Sequence, residues 1–120
     1  MGAIHDVELL GIYNMCDVVV LPTRSDELFG MAVVEADACG KAVVCSRRGG
    51  LVEAASEQSG IFVTPGHHTA LADATSEVLA DSGRRHRMGV AASNHVRKFD
   101  WMAIAGAFRR VYDHALETSR

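Results

Sequence analysis

Apolar positions Leu9, Ile12, Tyr13 and Cys16 recur at intervals of three and four residues, which predicts a helix that Asp6 can cap. At residue 17 the period changes. "DVVVLP" (17–22) is a continuous β-branched run closed by proline, the pattern of a parallel strand covered on both faces. After a loop from Thr23 to Leu28 the apolar stretch from about Phe29 to Cys39 predicts a second helix, ended by Gly40 as a left-handed cap. "KAVVCS" (41–46) reads as another buried strand and "RRGG" (47–50) as a turn. Leu51 to Ala55 is a short helical piece, and "GIFVTPG" (60–66) a third strand with its turn. Three helical stripes follow: Leu71, Ala74, Thr75 and Val78; then Met88, Ala91, Ala92 and Val96; then Trp101, Ile104, Ala105, Phe108, Val111, Tyr112 and Ala115.

Parallel strands near 18–21, 42–45 and 61–63, joined by helices, make the α/β pattern of one mononucleotide-binding half of a doubly wound sheet. Such a sheet normally has two halves, with the ligand at the switch point between them. One half alone would leave a Val-Val-Val strand at an open edge, which soluble proteins avoid. The expectation is therefore that residues before Met1 are missing, and that Met1 is an internal start or the boundary of a longer chain.

Composition changes this picture little. At 120 residues, with 48% hydrophobic and 22% charged content, the chain is a single globular domain at most. No apolar run approaches the roughly 20 residues of a membrane span, and the N-terminus lacks a signal-peptide pattern, so the default compartment is the cytoplasm. Cys16, Cys39 and Cys45 lack metal spacing and each lies in an apolar stretch, so they read as reduced core residues. Residues 84–120 hold eight Lys or Arg against three acids, and residues 1–83 four against twelve. The basic positions fall at helical spacing between apolar ones, which makes a solvated helix face rather than a nucleic-acid surface. His67 and His68 are adjacent in a turn, poorly placed to share a metal.

One position breaks the apolar pattern. The helical neighbours of Glu35 are Met31, Ala32, Ala38 and Cys39, and a carboxylate on that face needs a partner. The partner is either a cation, with Arg47, Arg48 and Lys41 as candidates, or a ligand. The helix start after a strand is suited to a phosphate through its free N–H groups and dipole. Gly30 lets a ligand approach the backbone there. Glu27 stands just before it, and two acceptor-only carboxylates could receive the hydroxyls of a sugar and of a ribose. Spacing alone favours the plainer arrangement, a cation on Glu35 with Asp26 and Glu27 as helix caps, since carboxylates at helix starts are common.

The stretch "ELLGIYNMCDVVVLPTRSDELFGMAVVEADACGKAVVCSRRGGLVEAASEQSGIFVTPG" closely resembles the nucleotide-sugar-binding C-terminal domain of retaining GT-B glycosyltransferases of family 4. The resemblance covers nearly the whole chain and includes "VRKFDW", similar to the motif that opens the family's final helix. Glu27 and Glu35 match its Glu-(any seven)-Glu signature, supported by the "FG", "ACGK" and "GG" around them. The fold it implies is the C-terminal half of a Rossmann-like GT-B domain with a helical tail. Glu35 would bind the ribose hydroxyls of the donor nucleotide, and Glu27, as the catalytic residue, would contact the transferred sugar near the reaction centre. Backbone amides of Phe29, Gly30 and Met31 would hold sugar hydroxyls and phosphate oxygens. "GAI" at residues 2–4 resembles the segment that contacts the base.

The reaction so implied moves a hexosyl group from a UDP- or GDP-sugar to a glycan, lipid or small-molecule acceptor with retention of configuration. It needs neither a metal nor a cofactor beyond the donor. Trp101 and Tyr112 fall on an apolar stripe and read as core or domain-docking residues rather than a stacking platform; the family's final helix crosses back to the other domain, so part of that stripe is expected to be exposed in this chain. Leu28, Asp37 and Ala42 depart from the pattern without touching the implied contacts. The Gly-rich first strand turn, the Arg and Lys that grip the diphosphate and the acceptor domain have no counterpart, so the isolated chain is expected to be inactive. Peripheral membrane attachment through a missing domain stays open. So do two alternatives: a non-catalytic half-domain that binds a partner chain over its open sheet edge, and a GT-B sugar-nucleotide epimerase or phosphorylase.

Overall fold

A computed structural model describes residues 4–119. Helix α1 (Asp6–Met15) leads into strand β1 (Val18–Leu21), followed by α2 (Met31–Ala38), β2 (Ala42–Ser46), the short α3 (Leu51–Ala54) and β3 (Gly60–Val63). Helices α4 (His68–Ala80) and α5 (Ser82–His95), a 3-10 turn (Val96–Phe99) and α6 (Trp101–Thr118) complete the chain. The three strands are parallel in the order β1-β2-β3, with Val18 opposite Ala42 and Val43 opposite Gly60.

Alternation along β2 divides the core in two. Val43 and Cys45 join Val33, Ala36, Leu51, Ala54 and Ala55 on one side, under α2 and α3. Ala42 and Val44 join Val63, Ala74, Val78 and Met88 on the other, under α4 and α5. All five β2 residues are therefore buried, as the unbroken apolar run requires. The residues of β1 are half-buried, because helices cover both faces while no strand pairs its outer edge among the described residues.

Boundaries differ from the pattern in small ways with physical causes. Asp6 lies inside the first turn of α1 and is not its cap; the Glu8 carboxylate instead accepts the His5 N–H at 3.3 Å. Helix α2 starts at Met31 and not near Phe29, because Gly30 before it has φ 83°, a left-handed conformation that cannot continue a helix. Strand β2 runs one residue longer than expected, β3 starts one earlier, and α3 stops at Ala54. The three cysteines are free: Cys45 is buried, Cys16 and Cys39 half-buried.

Helix α6 takes the docking alternative of the two read for its stripe, and is exposed along its whole length. Asp100 caps it by accepting the Met102 N–H at 2.9 Å, but none of its residues is buried. Trp101 is 83% exposed, and Phe108, Val111 and Tyr112 are exposed as well, so the stripe contributes no core. No helix among the described residues is long and apolar enough to cross a membrane.

Candidate functional site

Pro22 follows β1, so the loop to α2 lies at the carboxyl edge of the sheet. The turn after β2 holds that loop. Gly50 donates its N–H to the Glu27 carbonyl at 2.7 Å. A Cβ on Gly50 would stand 2.3 Å from the Leu28 carbonyl oxygen, so only glycine permits this approach. Arg48 adds an ion pair to Asp26 at 2.8 Å. "RRGG", read from sequence as a plain turn, is thus the clamp that positions the candidate site. Its signal was the pair of adjacent glycines, whose purpose depends on a loop some 20 residues earlier in the chain.

Phe29 lies in this loop, not in the helix. Its ring meets Phe99 edge-on at 5.2 Å, leaving its backbone as the part available to a ligand. Phe99 in turn meets His95 at 5.7 Å, and His95 Nε2 lies 3.1 Å from the Ala54 carbonyl, so the anchor reaches α5 and α3. The N–H groups of Phe29, Gly30, Met31 and Ala32 have no hydrogen-bond partner among the described residues. Four unpaired donors at the positive end of a helix form an anion-binding feature. Glu27 is half-buried, and its carboxylate makes no ion pair or hydrogen bond among the described residues.

None of the cations considered pairs with Glu35. Arg47 goes to Glu57 at 3.0 Å, Arg48 to Asp26, and Lys41 to the Asn14 carbonyl at 2.9 Å. The Tyr13 hydroxyl from α1 instead donates to Glu35 Oε2 at 2.9 Å. Burial, then the hydrogen bond and the charge of Glu35, push the Tyr13 hydroxyl up to about 12, so it keeps its proton and stays a donor. Tyr13 was legible only as part of an apolar stripe. A half-buried tyrosine on such a stripe needs a partner for its hydroxyl, and that was the available clue.

Glu35 sits four residues beyond Met31, on the same side of α2 and one turn along. It lines an open hollow of about 350 Å³ between α1 and α2, together with Tyr13, Asp6, Leu9, Leu10, Ala38 and Cys39. Glu27, Phe29, Gly30, Met31 and Glu35 therefore lie on one continuous stretch, the loop and first turns of α2. Of the "GAI" segment, residues 2 and 3 lie outside the described residues. Neither Asp26 nor Glu27 caps α2 through its side chain. Asp37 is fully buried on the opposite side of α2. Ser59 donates to its Oδ2 at 3.4 Å, while Oδ1 has no partner. Burial pushes its carboxyl up to about 6, against the Ser59 bond, which lowers it.

The family model described as glycosyl transferases group 1 matches residues 1–95. The D-inositol 3-phosphate glycosyltransferase of Corynebacterium jeikeium (strain K411) is 37% identical over 107 residues, 88% of this chain and 25% of that protein. Sucrose-phosphate synthase from Thermosynechococcus elongatus superposes with a TM-score of 0.85 at 32% identity, over 98% of this chain and 30% of its own. Anabaena Alr3699/HepE in complex with UDP-glucose gives 0.82 at 26% identity, over 95% and 31%. The chain spans about a quarter of the length of the curated relatives it matches.

Proposed function

Because this chain belongs to the glycosyl transferases group 1 family, we propose that it is the donor-binding part of a hexosyltransferase that uses a UDP- or GDP-sugar. Glu35 accepts the ribose hydroxyls, and Glu27 contacts the transferred sugar. The amides of Phe29, Gly30 and Met31 take sugar hydroxyls and phosphate oxygens. As the bond to the sugar breaks, charge grows on the departing diphosphate, and fixed N–H donors at a helix start stabilise it without reorganising. The transfer retains configuration and needs no metal.

The observation that carries this reading is the state of Glu35. One oxygen is held by Tyr13, and the side chain borders an open hollow on the helix whose first N–H groups are unpaired. A purely structural carboxylate would be expected to find a cation, and Arg47, Arg48 and Lys41 are engaged elsewhere. The UDP-glucose in the Anabaena complex supports a uridine donor.

Binding is the readout for the 120-residue chain, and titration calorimetry with UDP-glucose and a GDP-sugar measures it. Glu35→Gln keeps the shape and removes the charge, and is expected to weaken binding by roughly 1–3 kcal/mol. Unchanged affinity in that variant would remove Glu35 from the site.

A further inference from the structure

We propose that a second hollow, at the start of α4, is a binding site for a phosphate group. It goes beyond the donor reading, since none of its residues is among Glu27, Phe29, Gly30, Met31 and Glu35.

The hollow has a volume of about 40 Å³ at the carboxyl ends of the three strands, beneath the first turn of α4. That is well above the ~10–15 Å³ a single water needs on the same kind of measure. Ser46, the last residue of β2, lines it. Strand alternation puts its side chain with those of Ala42 and Val44, on the α4 side of the sheet. Ser46 is 1% exposed; its carbonyl accepts the Arg48 N–H at 2.9 Å, and its hydroxyl makes no hydrogen bond among the described residues. Ser46 lines the hollow, so its hydroxyl is free to donate to a group that enters.

The other polar groups around the hollow are cationic or donors. Arg24 comes from the loop after β1 and makes no ion pair among the described residues, although Arg47 and Arg48 both do. Its Nε lies 3.8 Å from where a Cβ of Gly66 would stand, so the guanidinium reaches across to the turn before α4. The N–H of Ala70 is taken by His67 Nδ1 at 3.1 Å, which leaves the proton of that ring on Nε2 as a donor. The N–H groups of His68 and Thr69, at the start of a 13-residue helix, have no partner among the described residues. Thr64 adds a hydroxyl, and no carboxylate lines the hollow.

A guanidinium fork, a buried hydroxyl, an imidazole N–H and two helix-start amides exceed what the two oxygens of a carboxylate can accept. They suit the oxygens of a phosphate, as the free ion or as the end of a phosphomonoester.

The test is titration of ¹⁵N-labelled protein with inorganic phosphate at constant ionic strength, read residue by residue so that binding here is separated from binding at α2. The expected result is saturable shifts of the Ser46, His68 and Thr69 amides. Ser46→Ala and Arg24→Gln should each weaken the apparent affinity about tenfold or more, with the dispersion of the spectrum retained. Glu35→Gln, which tests the donor reading, should leave these shifts unchanged. Glucose 6-phosphate separates the two sources: equal or tighter binding identifies a monoester ligand, and exclusion identifies the free ion. Shifts that do not saturate, that chloride reproduces, or that both variants leave unaltered overturn the proposal.

Discussion

Asp37 is the residue whose surroundings fit it least. It is fully buried with one oxygen unpartnered, and its carboxyl is pushed up to about 6. The folded state therefore binds this proton more tightly than the unfolded chain does. Its contribution to stability is greatest below the ordinary carboxylate value near 4, is lost as pH rises from about 4 to about 6, and then stays constant. Asp37→Asn is expected to stabilise the protein at pH 7 by up to about 3 kcal/mol and to do little at pH 4, read by urea unfolding at both values. An equal effect at both pH values would assign the change to packing instead. Tyr13 and Glu35 show the opposite arrangement, a half-buried carboxylate with a donor supplied from a neighbouring helix.

At the scale of elements, the loop before α2 is shaped by the turn after β2. Gly50 hydrogen-bonds the Glu27 carbonyl and leaves no room for a side chain against Leu28 and Phe29. Gly50→Ala forces a Cβ to within 2.4 Å of the Phe29 Cα unless the loop shifts. Such overpacking costs about 1–3 kcal/mol. Urea denaturation should show that loss, and the amide shifts of residues 26–31 should move with it. A variant with wild-type stability and unmoved shifts would mean that the two segments are not rigidly coupled. Helix α2 itself has little choice about its start, since the left-handed Gly30 sets it and Leu51 packs where a Cβ of Gly30 would go.

At the scale of the whole molecule, the principal dimensions of 58 × 32 × 31 Å describe a compact α/β body with an elongated direction. The single tryptophan reports on α6, whose apolar stripe is exposed along its length. Trp101 fluorescence in this chain is expected to resemble that of a solvated indole and to be quenched freely by acrylamide. Protected, blue-shifted emission would show that the stripe is covered in solution, either by the chain's own core or by a second copy.

The parallel strands and the helix after β1 were legible because they depend on local patterns: β-branched runs for buried strands, three- and four-residue spacing for helices, and proline or glycine at their ends. The loop and helix that carry Glu27 and Glu35 were legible for the same reason, as a carboxylate interrupting an apolar face. What Glu35 bonds to was not, because Tyr13 lies 22 residues away and only the packing of α1 on α2 brings its hydroxyl within 2.9 Å. The clamp of Gly50 on Glu27, the place of the Ser46 hydroxyl beneath α4 and the exposure of α6 along its whole length, beyond the part expected, likewise depend on which surfaces meet. Period and composition determine which residues can share a face. Distances between residues far apart in the chain, and whether a face is covered, are decided only when the sheet and helices pack.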